Sequence, residues 1–170
     1  MATLQPRSPL IAVDTNVPLD LDDRKEHVLD ALEIIGRRVK PGRVLVTPTA
    51  FQELVYLAEE GDTEEDRGQA SRALRGLRGW GLDVVNLLPV AHGTVERVAD
   101  KLQDARLLPA EEYNDSLILA EAALLACTIL LTGDGHLRSL NFLRASLELK
   151  AFDLEMPIIA TPHEIVAKFF

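Results

Sequence analysis

The sequence has little cysteine and no long apolar segment. Cys127 is its only cysteine, so it forms no intrachain disulfide and offers no second sulfur ligand for a thiolate metal site, which favours a reducing compartment. The first ten residues, MATLQPRSPL, lack the apolar core of a signal peptide. The longest apolar stretch, LILAEAALLACTILL, contains Glu121 and is too short to span a bilayer. We therefore expect a cytoplasmic protein with no membrane partner.

Several catalytic and metal-binding signatures are also missing. The sequence has no Gly-X-Ser-X-Gly nucleophile elbow, no P-loop and no Gly-X-Gly-X-X-Gly turn. The formal net charge of −9 at pH 7 argues against a protein that coats nucleic acid, because phosphate binding depends on Lys and Arg. An acidic total is compatible with a cluster of metal-binding carboxylates. The histidines are scattered without the spacing of a zinc site: His27, His92, His136 and His163.

What the sequence does contain is a regular alternation of short apolar runs and longer amphipathic stretches. This order is typical of βαβ units and predicts an α/β fold with a parallel sheet. At 170 residues, with no linker or repeat, the chain is predicted to form a single domain over residues 1–170. The apolar runs are LIAVD, RVLVT, LDVVNLL, TILLT and PIIAT. Helices are predicted over residues 23–37, 49–60, 64–79, 93–106, 112–126 and 162–169.

Two of the predicted strands end in a carboxylate. Asp14 follows the run LIAV, and Asp134 follows TILLTG. In an open parallel sheet, ligands bind beyond the carboxyl ends of the strands, so both acids are expected at one functional edge. Taken singly, each acid is equally typical of a helix cap.

A third acid, Asp115, lies on the helix predicted over residues 112–126. It shares a helical face with Ile118 and Leu119, so its side chain is expected to point toward the core. An isolated charge there would cost several kcal/mol, so Asp115 needs a cation or a proton. Glu121, on the same helix, is predicted to face solvent.

A fourth acid, Glu53, follows the RVLVT strand in a helix that Thr47 or Thr49 would cap. Taken alone, Glu53 is an ordinary acid near a helix start, where the helix dipole favours a negative charge. Four carboxylates that converge on one edge would repel one another, and a hard divalent cation would relieve that repulsion. Mg²⁺ fits such a site because it takes oxygen ligands and keeps several waters.

The ordered set Asp14-Thr15-Asn16, Glu53, Asp115 and Thr132-Gly133-Asp134 resembles the PIN-domain nucleases, including VapC-like toxins. The resemblance covers nearly the whole chain, and its most specific part is the block NDSLILAEAALLACTILLTGD. It implies a three-layer α/β/α fold with a central, mainly parallel five-stranded sheet. It also implies endonucleolytic hydrolysis of RNA phosphodiester bonds with Mg²⁺ or Mn²⁺ as cofactor.

The same resemblance assigns roles to individual residues and suggests partners. Catalysis and metal binding fall to four acids: Asp14, Glu53, Asp115 and Asp134. Three polar residues support them: Thr15, Asn16 and Thr132. The partners that it suggests are an RNA substrate, an antitoxin protein and a second copy of the chain in a homodimer.

This sequence departs from the family pattern after Asp134. His136 stands where relatives often carry another acid, which leaves the second metal site open. Glu111 and Glu112 lie one turn before Asp115 and are candidates to complete that site, or ordinary surface acids.

Two other functions are compatible with the pattern. An Asp that ends a first strand, with a later TGDG, is similar to haloacid-dehalogenase-like Mg²⁺-dependent phosphatases. Those enzymes carry a second acid two residues after the first, where this chain has Asn16. The second alternative is a non-catalytic PIN-like scaffold that binds RNA or a protein.

A row of arginines marks the helix predicted over residues 64–79. Its apolar stripe is expected to pack on the body of the protein, which leaves the arginines along an adjacent flank. This flank is as consistent with contacts to RNA phosphates as with a solvated surface neutralised by nearby acids. The arginines are Arg67, Arg72, Arg75 and Arg78.

Overall fold

Five short strands form one parallel sheet in the computed structural model, which describes residues 7–169. The strands are β1 (Leu10–Val13), β2 (Arg43–Val46), β3 (Leu82–Val84), β4 (Ile129–Leu131) and β5 (Ile158–Ala160). Each corresponds to one of the five apolar runs, although β3 takes only the first half of LDVVNLL. The predicted α/β class and five-stranded parallel sheet are therefore confirmed.

The strand order β3-β2-β1-β4-β5 places a topological switch between β1 and β4. The chain moves from β1 outward to β2 and β3, then crosses back to β4 and β5. Because parallel crossovers are right-handed, the two directions put helices on opposite faces of the sheet, which gives three layers. In register, Val13 pairs with Leu131, so the segments that follow both strands leave the sheet side by side.

Nine α-helices are present within residues 7–169. They are α1 (Asn16–Asp22), α2 (Glu26–Ile34), α3 (Pro48–Glu60), α4 (Glu64–Gly76), α5 (Pro89–Asp104), α6 (Tyr113–Leu124), α7 (Gly135–Ser139), α8 (Phe142–Lys150) and α9 (Pro162–Phe169). The helix predicted over residues 23–37 is α2, prolonged by a π-helical segment, Ile35–Val39. α1, α7 and α8 were not predicted from the sequence, whereas the other five predicted helices lie within a few residues of their expected ends.

The hydrophobic core lies on both sides of the sheet. The central strands are apolar throughout, as in sheets whose two faces are both covered; Ile11, Val13 and Leu130 are fully buried. α6 contributes Ile118 and Leu119 to this core. Among residues 7–169, no helix has both the length and the hydropathy needed to cross a membrane.

The prediction that Glu121 faces solvent is wrong, because its side chain is buried and only 2% exposed. α6 is apolar almost all round, and a helix of that kind is buried all round, so Glu121 has no solvent face to occupy. Its carboxylate accepts hydrogen bonds from the backbone N–H and the hydroxyl of Thr49 at 3.1 and 2.6 Å. Glu121 thus ties α6 to the first turn of α3.

Candidate metal centre

Asp14 lies at the carboxyl end of β1 and is held by three donors. Its Oδ1 accepts a hydrogen bond from the Thr15 backbone N–H at 2.6 Å. Its Oδ2 accepts bonds from the Thr132 hydroxyl at 2.6 Å and from the Asn16 amide at 3.0 Å. The pKa of Asp14 is raised to about 6, mainly by burial and also by the neighbouring carboxylates of Glu53 and Asp134. The hydrogen bonds from Thr132 and Thr15 lower it in part. The carboxylate is therefore fixed in orientation and close to other negative charge.

Asn16 also shapes the loop that follows β4. Its side-chain oxygen accepts a hydrogen bond from the Gly133 backbone N–H at 2.8 Å. A Cβ atom at Gly133 would lie 3.3 Å from this same oxygen, so the close approach favours glycine at position 133. Asn16 therefore links the two strand ends, as a residue that supports the loop should.

Glu53 approaches the same edge from α3. The Thr15 hydroxyl donates a hydrogen bond to its Oε2, and the Asn114 amide donates to its Oε1 at 2.8 Å. α3 begins where it does because Pro48 occupies its first position and the Thr47 hydroxyl accepts from the Ala50 N–H. Thr47 is thus the residue that caps α3.

Asp134 has a structural task in addition to its place in the cluster. Its Oδ1 accepts hydrogen bonds from the backbone N–H groups of His136 and Leu137 at 2.7 and 3.1 Å, which caps α7. The Thr132 hydroxyl accepts from the Asp134 N–H at 2.9 Å. Asp134 therefore is a helix cap, and no hydrogen bond from residues 7–169 reaches its Oδ2.

Asp115 projects from the first turn of α6 into the middle of this group. It is only 8% exposed, and within residues 7–169 its Oδ2 is buried without a hydrogen-bond partner. Burial raises its pKa to about 8, and the carboxylates of Asp134 and Asp14 add to that shift. A buried oxygen that has no donor and lies close to other carboxylates calls for a proton or a cation.

Two further residues belong to this site. Ligand atoms of Glu112, Asp115 and His136 all lie within 4.8 Å of one another. Glu112 was one of two acids considered from the sequence, whereas Glu111 is exposed. His136 was not predicted as a ligand. The spacing typical of a zinc site relates histidines to one another, whereas the carboxylates near His136 come from a helix distant in sequence.

An open cavity of about 530 Å³ adjoins Thr15 and Glu53. Its walls combine apolar groups, an aromatic ring and amides, which is the composition of a ligand-binding cleft. The other residues that line it are Thr49, Gln52, Tyr56, Leu57, Asn114 and Leu117.

The four arginines of the α4 flank have different environments. Arg67 donates to the Gly61 carbonyl at 2.5 Å, and Arg72 forms an ion pair with Asp22 at 2.9 Å. Arg75 and Arg78 are exposed, and no ion pair among the described residues includes them. The flank is thus partly engaged within the molecule.

The model for the family described as PIN domain matches residues 11–143 of the chain. This range includes all four acids predicted from the sequence, together with Glu112 and His136. Among curated proteins, none matches the chain.

Two solved structures are similar in fold. The crystal structure of VapBC2 from Rickettsia felis, bound to a DNA fragment from its promoter, superposes with a TM-score of 0.60 at 14% identity. The alignment covers 89% of this chain and 98% of that one. VapBC-1 from nontypeable Haemophilus influenzae superposes with a TM-score of 0.53 at 17% identity, covering 90% of this chain and 98% of that one.

Proposed function

The chain belongs to the PIN-domain family, and we propose that it is a divalent-metal-dependent endoribonuclease, the toxin of a toxin–antitoxin pair. Asp115 carries the proposal: its buried Oδ2 has no partner among the described residues and lies among other carboxylates. A structural acid in such a place would be paired with an arginine or a backbone donor. A divalent cation satisfies the oxygen and relieves the repulsion together.

The residues of the cluster divide the work of binding and positioning. Asp14 is held in one orientation by Thr132 and Asn16, and such supporting bonds fix the geometry of a metal ligand. Asp115 presents oxygens from α6, and Asp134 presents its Oδ2 just past the end of β4. Glu53, held by Asn114 and Thr15, orients the attacking water.

These acids would hold Mg²⁺ or Mn²⁺, whose positive charge would make water a nucleophile at neutral pH and would stabilise the phosphate in the transition state. The protein then needs no nucleophile of its own. The only cysteine, Cys127, is buried, and burial raises the pKa of its thiol to about 11.

The partners we propose follow from the same assignment. RNA is the substrate class, and the likeness to the two VapBC structures supports an antitoxin protein as the partner that restrains the activity. A homodimer and a cytoplasmic location complete the proposal. Co-expression with the product of the adjacent gene tests for the antitoxin: that product should form a stable complex and abolish cleavage.

Metal dependence and end chemistry test the proposed activity directly. Purified protein is expected to cleave RNA with Mg²⁺ or Mn²⁺, and to leave 5′-phosphate and 3′-hydroxyl ends, because water is the nucleophile. End-labelling of the products with and without chelator measures this. Cleavage that persists in excess chelator and leaves a cyclic phosphate would indicate attack by the RNA's own 2′-hydroxyl instead. Metal binding without any cleavage would favour the non-catalytic scaffold.

We propose that Arg75, in α4, and Arg78, in the turn that follows α4, bind RNA phosphates. Replacing both Arg75 and Arg78 with Gln is expected to weaken RNA binding and to lower the slope of log K against log salt by about one unit per lost phosphate contact. The matched control replaces Arg37 and Arg38, two exposed arginines of the π-helical segment, and should leave the slope unchanged. Equal slopes of log K against log salt in the two double variants would mean that the α4 flank is a solvated surface that does not bind RNA phosphates.

A further inference from the structure

Glu112, Asp115 and His136 form a group of mixed ligand chemistry beside the four acids. Their ligand atoms lie within 4.8 Å of one another, and His136 Nδ1 is 3.4 Å from Glu112 Oε1. Ligands on one six-coordinate ion lie about 3 Å apart at neighbouring positions and about 4.2 Å apart at opposite ones, given bonds of about 2.1 Å. His136 is exposed and Glu112 is half-buried, so small rotations of these two side chains would close the remaining gap.

The backbone positions of these three residues are set by the starts of two helices. Glu112 and Asp115 are three residues apart at the start of α6, so their side chains share one face. His136 stands in the first turn of α7, where Asp134 accepts its N–H and the fully buried Leu137 anchors the helix in the core. Asp115 is the buried member of the group, whereas Glu112 and His136 lie nearer to the surface.

The buried oxygen of Asp115 distinguishes a binding site from a surface ion pair. His136 lies within ion-pair distance of Glu112, and this contact leaves Asp115 Oδ2 buried without a partner among the described residues. A cation between the three side chains satisfies all of them. The imidazole then also changes which cation fits, because Mg²⁺ prefers oxygen ligands whereas transition metals accept nitrogen.

We propose that Glu112, Asp115 and His136 bind a divalent transition-metal cation, with two carboxylate oxygens and one imidazole nitrogen as ligands, in preference to Mg²⁺. This site deepens the proposed function, on which it rests, because Asp115 belongs to both groups of ligands. His136 thereby takes the place where the family pattern would set another acid, and it makes Mn²⁺ a better cofactor than Mg²⁺.

Direct binding of Mn²⁺ in the absence of RNA tests the proposal. We compare the wild type with His136→Gln, Glu112→Gln and the matched control His163→Gln, which removes an exposed imidazole from α9. His136→Gln should weaken Mn²⁺ binding by about tenfold or more and change Mg²⁺ binding much less. Glu112→Gln should weaken both, and His163→Gln neither. Equal effects on the two metals in His136→Gln would overturn the mixed-ligand site.

Pulsed electron paramagnetic resonance of the Mn²⁺-loaded protein gives an independent readout. Wild type should show coupling of Mn²⁺ to an imidazole ¹⁴N nucleus, and His136→Gln should lose it while His163→Gln keeps it. No nitrogen coupling in the wild type, or coupling that survives in His136→Gln, contradicts the proposal even if a variant folds poorly. RNA cleavage without nitrogen coupling would sink this inference alone, whereas coupling without cleavage would sink the proposed function alone.

Discussion

Asp115→Asn is expected to stabilise the metal-free protein while lowering RNA cleavage at least a hundredfold. The substitution keeps the shape of the side chain and removes a buried charge that faces Asp134 and Asp14. At pH 8 the gain in the free energy of unfolding should be at least about 1 kcal/mol. The loss of activity follows because Asn supplies a neutral oxygen where the proposed cation needs a carboxylate.

The pH dependence of this effect has a definite sign. The pKa of Asp115 is raised to about 8 by burial first and by neighbouring carboxylates second. The folded protein therefore holds this proton more tightly than the unfolded chain does, so stability falls as the pH rises from about 4 to about 8. Asp115→Asn lacks this loss of stability, so the difference between its free energy of unfolding and that of the wild type should grow across the same pH interval.

Urea unfolding of both proteins in chelator, between pH 5 and pH 8, measures the difference. Glu111→Gln is the matched control, because it removes an exposed charge four residues away, and it should change stability by less than about 0.5 kcal/mol. Added Mg²⁺ or Mn²⁺ should raise the melting temperature of the wild type more than that of Asp115→Asn, since a ligand stabilises the state that binds it. A variant less stable than the wild type in chelator would mean that Asp115 belongs to a structural ion pair.

The edge where the acids meet could be predicted from the sequence because it depends on local patterns. Apolar runs define strands, parallel strands send their carboxyl ends to one side, and Asp14 and Asp134 stand just past two such ends. Asp115 could be oriented because the spacing of its apolar neighbours defines a helical face. Each step uses residues close in sequence, and for that reason the five-stranded sheet agrees with the prediction.

Two of the three helices that were not predicted, α1 and α7, start directly at strand ends. They begin at or directly after the polar residues that follow β1 and β4, whose types are typical of ligands as well as of helix starts. α1 begins at Asn16, directly after the Asp14-Thr15 pair, and α7 begins directly after its cap Asp134. α8 leaves Leu143 and Leu147 exposed, so the positions of its apolar residues do not mark the face that is buried.

The environment of Glu121 could not be predicted from local pattern, because its partner lies 72 residues away in sequence. A helical projection identifies the least apolar side of α6 but does not say whether another element covers it. α3 does cover it, with the Thr49 N–H and hydroxyl directed at the carboxylate. The same contact fixes the start of the helix that carries Glu53.

Glu121→Ala is therefore expected to destabilise the protein by about 3 kcal/mol, because it leaves two buried donors of Thr49 without an acceptor and opens a cavity. Glu121→Gln keeps an acceptor oxygen and should cost no more than about 1 kcal/mol. Burial raises the pKa of Glu121 despite its bonds to Thr49. The contribution of Glu121 to the free energy of unfolding therefore declines as the pH rises above the ordinary pKa of a glutamate. Glu121→Gln should remove that decline.

RNA cleavage separates a positioning role of Glu121 from a purely structural one. If the contact sets the first turn of α3, Glu121→Ala should also reduce cleavage under conditions where the variant is fully folded, because Glu53 then loses its fixed position. Glu121→Gln should restore most of that activity. Glu59→Ala, an exposed acid further along α3, serves as the control and should leave stability within about 0.5 kcal/mol of the wild type. Equal stabilities of Glu121→Ala and Glu59→Ala would show that the bonds to Thr49 do not hold α3 against α6.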